Sequence, residues 1–236
     1  MKKTTKWMVS LIACAAMMSA ATAQADEAYL ELRSASTMVG AERMSPLIED
    51  ESTLGAGVVL GYELTLDEIS GIAAVRALGI YGFDSANGEP FGGDVVSRWE
   101  RHRLMAGTDV VFDAFGTRVQ PLARLGAGYS QQALSITADN AEYRDTSKGF
   151  SAEAAGGLEV AIMQADPDGT AFSDNLSLGL NLLVGYSFFN SAGFHEMERQ
   201  TASEEEHQHA LYDAGSLNAS GMSMSFGLVG SFRLGR

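Results

Sequence analysis

Hydrophobic and polar positions alternate one by one along residues 175–188 (NLSLGLNLLVGYSF). Seven apolar or aromatic side chains share one parity: Leu176, Leu178, Leu180, Leu182, Val184, Tyr186 and Phe188. The other parity carries small, mostly polar residues. Because side chains on a β-strand point alternately to its two faces, this pattern predicts a strand with one apolar face. A helix would spread the leucines around its circumference.

The length of this strand is the second signal. Strands of soluble proteins run about five or six residues, whereas a tilted strand that crosses a bilayer needs about 9–11. Tyr186 and Phe188 end the apolar row with aromatic rings, which favour the membrane–water interface. Length and ring placement together indicate a membrane-spanning strand.

The same alternation recurs along the chain. Seven further segments show it: residues 28–34, 54–66, 72–83, 99–112, 119–130, 150–162 and 222–234. The connections after the first, third, fifth and seventh strands are long, and those between are shorter, as in barrels with long external loops and short periplasmic turns. We therefore predict an all-β fold, an eight-stranded antiparallel up-and-down transmembrane β-barrel. Residues 84–98, 131–149 and 190–220 are predicted as external loops.

A secreted soluble barrel would also have eight strands, with its apolar face turned inward around a ligand. Its outer face would meet water and should be rich in Lys and Glu. Here the face opposite the apolar row is mostly serine and glycine, including Gly55, Gly57, Gly61, Gly126, Gly128, Gly157, Gly179, Gly185 and Gly227. Small residues suit the crowded interior of a narrow barrel, so the membrane interpretation is favoured.

The N-terminus predicts export. Residues 1–25 contain a positive region, an apolar stretch and an A-x-A site ending at Ala25, which is typical of a cleaved signal peptide. Residues 26–236 then form the barrel domain. Residues 11–14 also resemble a lipoprotein processing box, which would place a lipid on Cys14. Cleavage after Ala25 removes three lysines and moves the net charge from −14 to −17, which argues against nucleic acid as a partner.

Two short motifs resemble known barrels. Residues 121–129 (PLARLGAGY) and 155–160 (AGGLEV) resemble adjacent strands of small outer-membrane barrels of the OmpA-barrel, opacity-protein and OmpW kind. The resemblance implies a structural or surface-interaction role, insertion by the barrel-assembly machinery, and a Gram-negative outer-membrane location with external loops and periplasmic termini. It also leaves open an OmpW-like channel for small hydrophobic molecules. Two features depart from the families: the last residue is Arg236, where an aromatic residue is usual, and no peptidoglycan-binding domain follows, so wall anchoring is not expected.

Charged residues with inward parity predict the state of the lumen. In one predicted hairpin Glu63 lies nearly opposite Arg76, and in another Asp109 lies near Arg124. Three more charged residues share the inward parity: Glu153, Glu159 and Arg233. Because an eight-stranded barrel is only wide enough for side chains to fill it, these charges should pair. We expect the pairs to plug the lumen.

Basic residues flank the outer ends of the fourth and sixth strands: Arg98, Arg101, Arg103, Arg144 and Lys148. Positive side chains at this position can pair with lipopolysaccharide phosphates. Charged loop residues that contact only water would explain the same pattern equally well. Outer-membrane lipid and lipopolysaccharide are therefore the predicted partners.

Candidate chemistry is sparse. His207 and His209, with the acidic residues 204–206, could hold a metal ion, but an acidic surface loop accounts for them equally well, so no metal or cofactor is expected. Glu100 and His102 lie near the outer rim, with Ser97 nearby, where a lipid-modifying enzyme could place an acid–base pair. Without a positioned nucleophile, we predict that the protein is not an enzyme.

Overall fold

The computed structural model describes residues 27–39, 52–66, 71–89, 95–115, 118–138, 141–166, 175–195, 197–200 and 214–234. The predicted signal peptide and the acidic histidine segment 204–209 lie outside these residues. The long strands are β1 (Glu27–Val39), β2 (Ser52–Thr65), β3 (Ile72–Gly88), β4 (Val95–Phe112), β5 (Val119–Ala138), β6 (Ala141–Met163) and β7 (Leu176–Phe189). Three short strands, β8 (Ala192–Phe194), β9 (Glu198–Gln200) and β10 (Gly215–Leu217), precede the last long strand, β11 (Gly221–Arg233).

The eight long strands form one closed sheet. Each strand from β1 to β7 pairs antiparallel with the next, and β7 pairs with β11. The ring closes where β11 pairs with β1 over their whole length, from Glu27 opposite Arg233 to Val39 opposite Gly221. The predicted eight-stranded up-and-down antiparallel barrel is therefore confirmed.

The two faces of the sheet follow the predicted parity. Over the middle of the barrel the exposed side chains are large and apolar, among them Leu30, Leu32, Leu60, Leu125, Leu158, Leu182, Val184, Phe226 and Leu228. The inward face carries glycines, serines and charged residues. It also carries apolar residues, and one of these, Leu183, packs against Ala74, Val111 and Leu122 inside the barrel. The outside of this barrel is thus more apolar than much of its interior.

The barrel is longer than the sequence pattern predicts. β5 and β6 stay paired from Ser130 opposite Gly149 to Ala138 opposite Ala141, across the stretch predicted as a loop. β3 and β4 likewise extend into residues 84–98. Beyond Tyr129 the pattern of β5 inverts, because Leu134 and Ile136 point inward and are buried. We call this part, residues 130–149, the hairpin extension.

An apolar cluster lies at the end of the barrel that carries the hairpin extension. It joins inward side chains of the long strands to the last connection, and its largest members are Trp99, Leu134, Phe189, Phe194, Met197 and Leu217. β8 pairs with β10, and β9 pairs with β6, so residues 190–220 carry strands where only a loop was predicted. Among the described residues, no helix has the length and hydropathy needed to cross a membrane.

Candidate functional site in the barrel interior

Arg124 lies at the centre of a charged cluster inside the barrel. Its Nε donates to Asp109 Oδ1 at 2.8 Å, and its Nη2 donates to Glu31 Oε2 at 2.7 Å. All three side chains are fully buried. The Tyr29 hydroxyl and the Asn181 amide also donate to Glu31 Oε2, at 2.8 and 3.0 Å. The carboxylate of β1 thus crosses the lumen to reach an arginine of β5.

Arg76 links two further carboxylates to this cluster. Its Nε donates to Glu63 Oε2 at 2.6 Å, and its Nη1 and Nη2 form a bidentate pair with Glu159 at 2.6 and 2.9 Å. The guanidinium also lies 4.5 Å from the ring centroid of Tyr29. Because Arg76 Nη1 is 4.0 Å from Asp109 Oδ2, the two arginines share one network. We call Glu31, Glu63, Arg76, Asp109, Arg124 and Glu159 the turn-side cluster.

A second charged cluster lies toward the hairpin extension. Arg33 forms a bidentate pair with Glu153 at 2.9 and 3.2 Å, and Arg103 Nη1 reaches the same carboxylate at 3.4 Å. Asp84 accepts from Arg101 Nη2 at 3.0 Å and lies 3.1 Å from Arg103 Nε. These five residues form the hairpin-side cluster, which has three arginines against two carboxylates.

The hairpin-side cluster corrects the prediction for two residues. Arg101 and Arg103 were expected to face lipopolysaccharide, but both side chains point into the barrel and are buried. The cause is the strand parity, because the side chains of odd-numbered residues of β4 point into the barrel. The guanidinium carbon of Arg101 lies 3.4 Å from the ring centroid of Phe189 and 4.9 Å from that of Trp99. A guanidinium placed over the face of an aromatic ring in this way is attracted to it by a cation–π interaction.

The other predicted basic residues lie on the outer surface. Arg98 is 62% exposed and pairs with Glu100 at 2.6 Å. Arg144 and Lys148 are exposed on the outward face of β6. Ser135 of β5 is the register partner of both Arg98 and Arg144, so the two arginines lie at one height on alternate strands.

Six of the seven predicted lumen residues belong to the two clusters, and one does not. Glu63, Arg76, Asp109, Arg124, Glu153 and Glu159 all take part in the pairs described above. Arg233 lies at the barrel rim, where its Nε is 3.9 Å from Glu27 Oε1 and its side chain is 37% exposed. It therefore does not extend either cluster, contrary to the prediction, because it is near the end of β11.

Sequence reasoning missed three members of the clusters: Glu31, Arg33 and Asp84. The inward parity of Glu31 and Arg33 was visible, but their partners lie across the barrel on strands far away in sequence. The sequence pattern places Asp84 in a loop. Its signal was the even parity of β3, since Arg76, Leu78 and Ile80 also point inward.

Apolar side chains also lie in the interior between these groups, chiefly Tyr29, Val59, Leu78, Ile80, Met105 and Val229. A cavity of about 10 Å³ beside Arg33, Arg103 and Ser187 has room for about one water molecule. The described part of the interior thus holds both ion pairs and apolar side chains.

The candidate catalytic residues do not assemble. His102 Nδ1 is 2.8 Å from the Tyr81 hydroxyl, and Glu100 is engaged by Arg98. Ser97 is buried and donates from Oγ to the carbonyl of Gly88 at 3.3 Å. No group of three potential metal ligands occurs among the described residues. The absence of enzymatic activity stays a prediction.

Comparisons with known proteins gave structural similarities. A search of family models and a search of curated proteins each found no match. The chain is similar to Neisserial surface protein A, at 12% identity, covering 88% of this chain and 97% of that chain, with a TM-score of 0.40. It is similar to Ail, the attachment invasion locus protein of Yersinia pestis (13% identity, 89% and 99% coverage, TM-score 0.40). A major outer membrane protein from Thermus thermophilus also matches (12% identity, 88% and 99% coverage, TM-score 0.39). The barrel assignment itself rests on the strand pairings of this chain.

Proposed function

We propose that the protein is a non-enzymatic outer-membrane β-barrel with a structural or surface-interaction role, whose lumen is plugged by charge pairs. One observation carries this proposal: the polarity of the barrel inverts along its axis. On β5, Leu125 is exposed on the outside, whereas beyond Tyr129 the apolar Leu134 and Ile136 are buried inside. A wall surrounded by water along its whole length has no reason to change its pattern. A change of solvent from hydrocarbon to water explains it.

The position of the inversion fits a bilayer. Residues 119–129 of β5 make 11 positions between the strand start and Tyr129, which matches the roughly 9–11 residues of a tilted spanning strand. Tyr129 pairs with Leu104 and with Phe150, and Leu104 pairs with Tyr81. Aromatic rings at one height on the outer surface are typical of a membrane interface.

The two charged clusters support a plugged lumen. Arg124 and Arg76 each pair with carboxylates from different strands, and these pairs bridge the width of the barrel. Opening a path for ions requires breaking such pairs, which leaves buried charges without partners at a cost of about 3–5 kcal/mol each. An OmpW-like channel for small hydrophobic molecules and an outer-leaflet lipid-modifying enzyme are the alternatives. Conductance measurements and mass spectrometry of lipid A test them.

The proposed orientation and partners are those usual for outer-membrane barrels. The hairpin extension faces the outside, and the termini face the periplasm, since that is the usual arrangement of such barrels. Arg98, Arg144 and Lys148 then lie at the height of lipopolysaccharide phosphates. Insertion depends on the barrel-assembly machinery of the outer membrane.

Membrane fractionation with N-terminal sequencing tests location and cleavage. We expect the mature chain, beginning at Asp26, in the outer-membrane fraction. Orientation is tested with Thr137→Cys, near the hairpin end of β5, and with the matched control Phe115→Cys, in the turn that follows β4; both positions are exposed. A membrane-impermeant maleimide should label only the residue-137 variant in intact cells. A soluble periplasmic protein would contradict the proposal.

A further inference from the structure

The small cavity inside the barrel lies beside the hairpin-side cluster. Its volume of about 10 Å³ has room for one particle the size of a water molecule. Arg33 and Arg103 line it, together with Glu153, the carboxylate that binds them both. The other polar side chains of the lining are hydroxyl groups: Thr37, Ser187, Ser223 and Ser225. The cavity is thus polar and rich in hydrogen-bond donors.

Several of these donors lack an acceptor. Arg33 Nε and Ser187 Oγ are buried and have no hydrogen-bond partner in the described part of the chain. Arg103 Nε lies 3.1 Å from Asp84 Oδ2 but forms no hydrogen bond with it. A buried donor without an acceptor is unfavourable, and most such groups in folded proteins find a partner. The cavity should therefore hold an acceptor that the protein chain does not supply.

Arg103 is the surplus cation of the hairpin-side cluster. Glu153 is bound at 2.9 Å by Arg33, and Asp84 is bound at 3.0 Å by Arg101. The hydrogen bonds that Arg103 donates to the same two carboxylates are longer, at 3.4 Å each. Three arginines thus share two carboxylates, and the arginine that is bound least closely lines the cavity.

The rest of the buried interior does not supply the missing negative charge. Five arginines and four carboxylates are buried in the described part of the barrel, which leaves one positive charge. The turn-side cluster has two further carboxylates, Glu63 and Glu159, and both bind Arg76. Their side chains are 15% and 14% exposed, so water reaches them and weakens their effect on distant groups. The surplus of buried positive charge therefore lies at the hairpin-side cluster.

We propose that the cavity binds one chloride ion. The ion accepts hydrogen bonds from Arg33 Nε, Arg103 Nε and Ser187 Oγ, and its charge balances the surplus arginine. A water molecule would accept the same hydrogen bonds but would leave the charge unbalanced. Sulfate and carboxylate anions are too large for a space that holds one water molecule. The inference goes beyond the proposed function, because it requires the folded barrel and no particular location in the cell.

The dependence of unfolding on chloride tests this site. The full mature chain is refolded in phosphatidylcholine vesicles and unfolded in urea at a series of chloride concentrations. Sodium isethionate replaces sodium chloride at constant ionic strength, because isethionate is a monovalent anion too large for the cavity. Above the dissociation constant, each tenfold rise in chloride should lower the unfolding equilibrium constant about tenfold, which is the slope for one ion per barrel.

Ser187→Asp should remove this dependence, because it places a fixed carboxylate in the cavity where the ion would lie. Ser187→Ala removes one donor and should weaken chloride binding at least about tenfold. Ser177→Asp is the matched control on the same strand, where Ser177 Oγ accepts a hydrogen bond from the backbone of Ala165, a role that a carboxylate can also fill. It should keep the slope of the wild type. Gel mobility before and after boiling verifies that each variant is folded, and Ser187→Ala carries the test if Ser187→Asp does not fold.

Crystals grown in sodium bromide locate the ion directly, because bromide scatters X-rays anomalously. We expect one anomalous peak between Arg33, Arg103 and Ser187. An unfolding constant that is independent of chloride would overturn the site, and a bromide peak in that case would mark an adventitious ion only. Equal slopes for the wild type and Ser187→Asp would place the chloride effect elsewhere. Density in the cavity without an anomalous peak would assign a water molecule and contradict the proposal.

Discussion

Single arginines determine how the barrel interior is held together. Arg124 and Arg76 each bind two carboxylates while almost fully removed from water. A buried ion pair adds little net stability relative to a well-packed apolar pair, but removing one partner leaves a charge that neither water nor protein satisfies. The interior should therefore respond sharply to loss of an arginine.

Arg124→Ala should lower the free energy of unfolding by about 3–5 kcal/mol, because Glu31 and Asp109 would stay buried without their cation. Arg98→Ala is the matched control, since its exposed pair with Glu100 is worth about 0–1 kcal/mol. Urea unfolding in lipid vesicles measures both variants. Equal effects of the two substitutions would show that the interior pairs are not structural.

Gly57 tests how closely the inner wall is packed. A Cβ there would lie 2.7 Å from the carbonyl oxygen of Tyr81 and 3.3 Å from Arg33 Nε. Gly57→Ala should therefore destabilise the barrel by about 1–3 kcal/mol. Gly79→Ala is the control, because its nearest contact is the carbonyl oxygen of Leu60 at 3.8 Å. The same urea titration measures both, and similar stabilities would contradict the close packing.

Some ion pairs could be predicted from the sequence and others could not, and the reason is geometric. Glu63 pairs with Arg76, and Asp109 with Arg124, across hairpins whose register follows from a short turn. The pair of Arg33 with Glu153 spans 120 positions in the chain. Whether these two residues meet depends on how far each strand is offset from its neighbour when the sheet closes. Local alternation carries no information about that offset.

At the scale of elements, the hairpin extension shows where the alternation rule failed. Below Tyr129 an outward apolar row identified β5. Above it the apolar residues Leu134 and Ile136 point inward, and polar residues such as Ser135 and Thr137 face outward. The alternation continues with opposite polarity, as expected for a barrel wall in water. A prediction that counts only outward apolar residues therefore ends β5 at residue 130, which is too early.

The hairpin extension should be as well ordered as the membrane part of the barrel. Backbone amides of residues 131–138 pair with β4 and β6, so their hydrogen exchange should be strongly protected. The exposed turn residues 113–115 serve as the internal control for fast exchange. Mass spectrometry after exchange in detergent micelles makes the comparison. Exchange of 131–138 at the rate of the turn would favour the loop predicted from sequence.

At the scale of the molecule, closure of the sheet predicts resistance to detergent. Every long strand has two neighbours, so no edge is open to unfolding or to pairing with another chain. The folded protein should migrate differently on SDS gels before and after boiling. A version truncated before β11, which cannot close, is the control and should show one mobility. Identical mobilities for the full chain would count against closure.

Planar-bilayer recording of the wild-type protein tests the plugged barrel most directly. Two charged clusters and an apolar cluster lie inside the described part of the barrel. The interior of an eight-stranded barrel is just wide enough for side chains to fill it. The wild type should therefore show no steady conductance after insertion, with insertion verified by gel mobility of the recovered protein. Large, stable single-channel currents would contradict the plug and support the channel alternative.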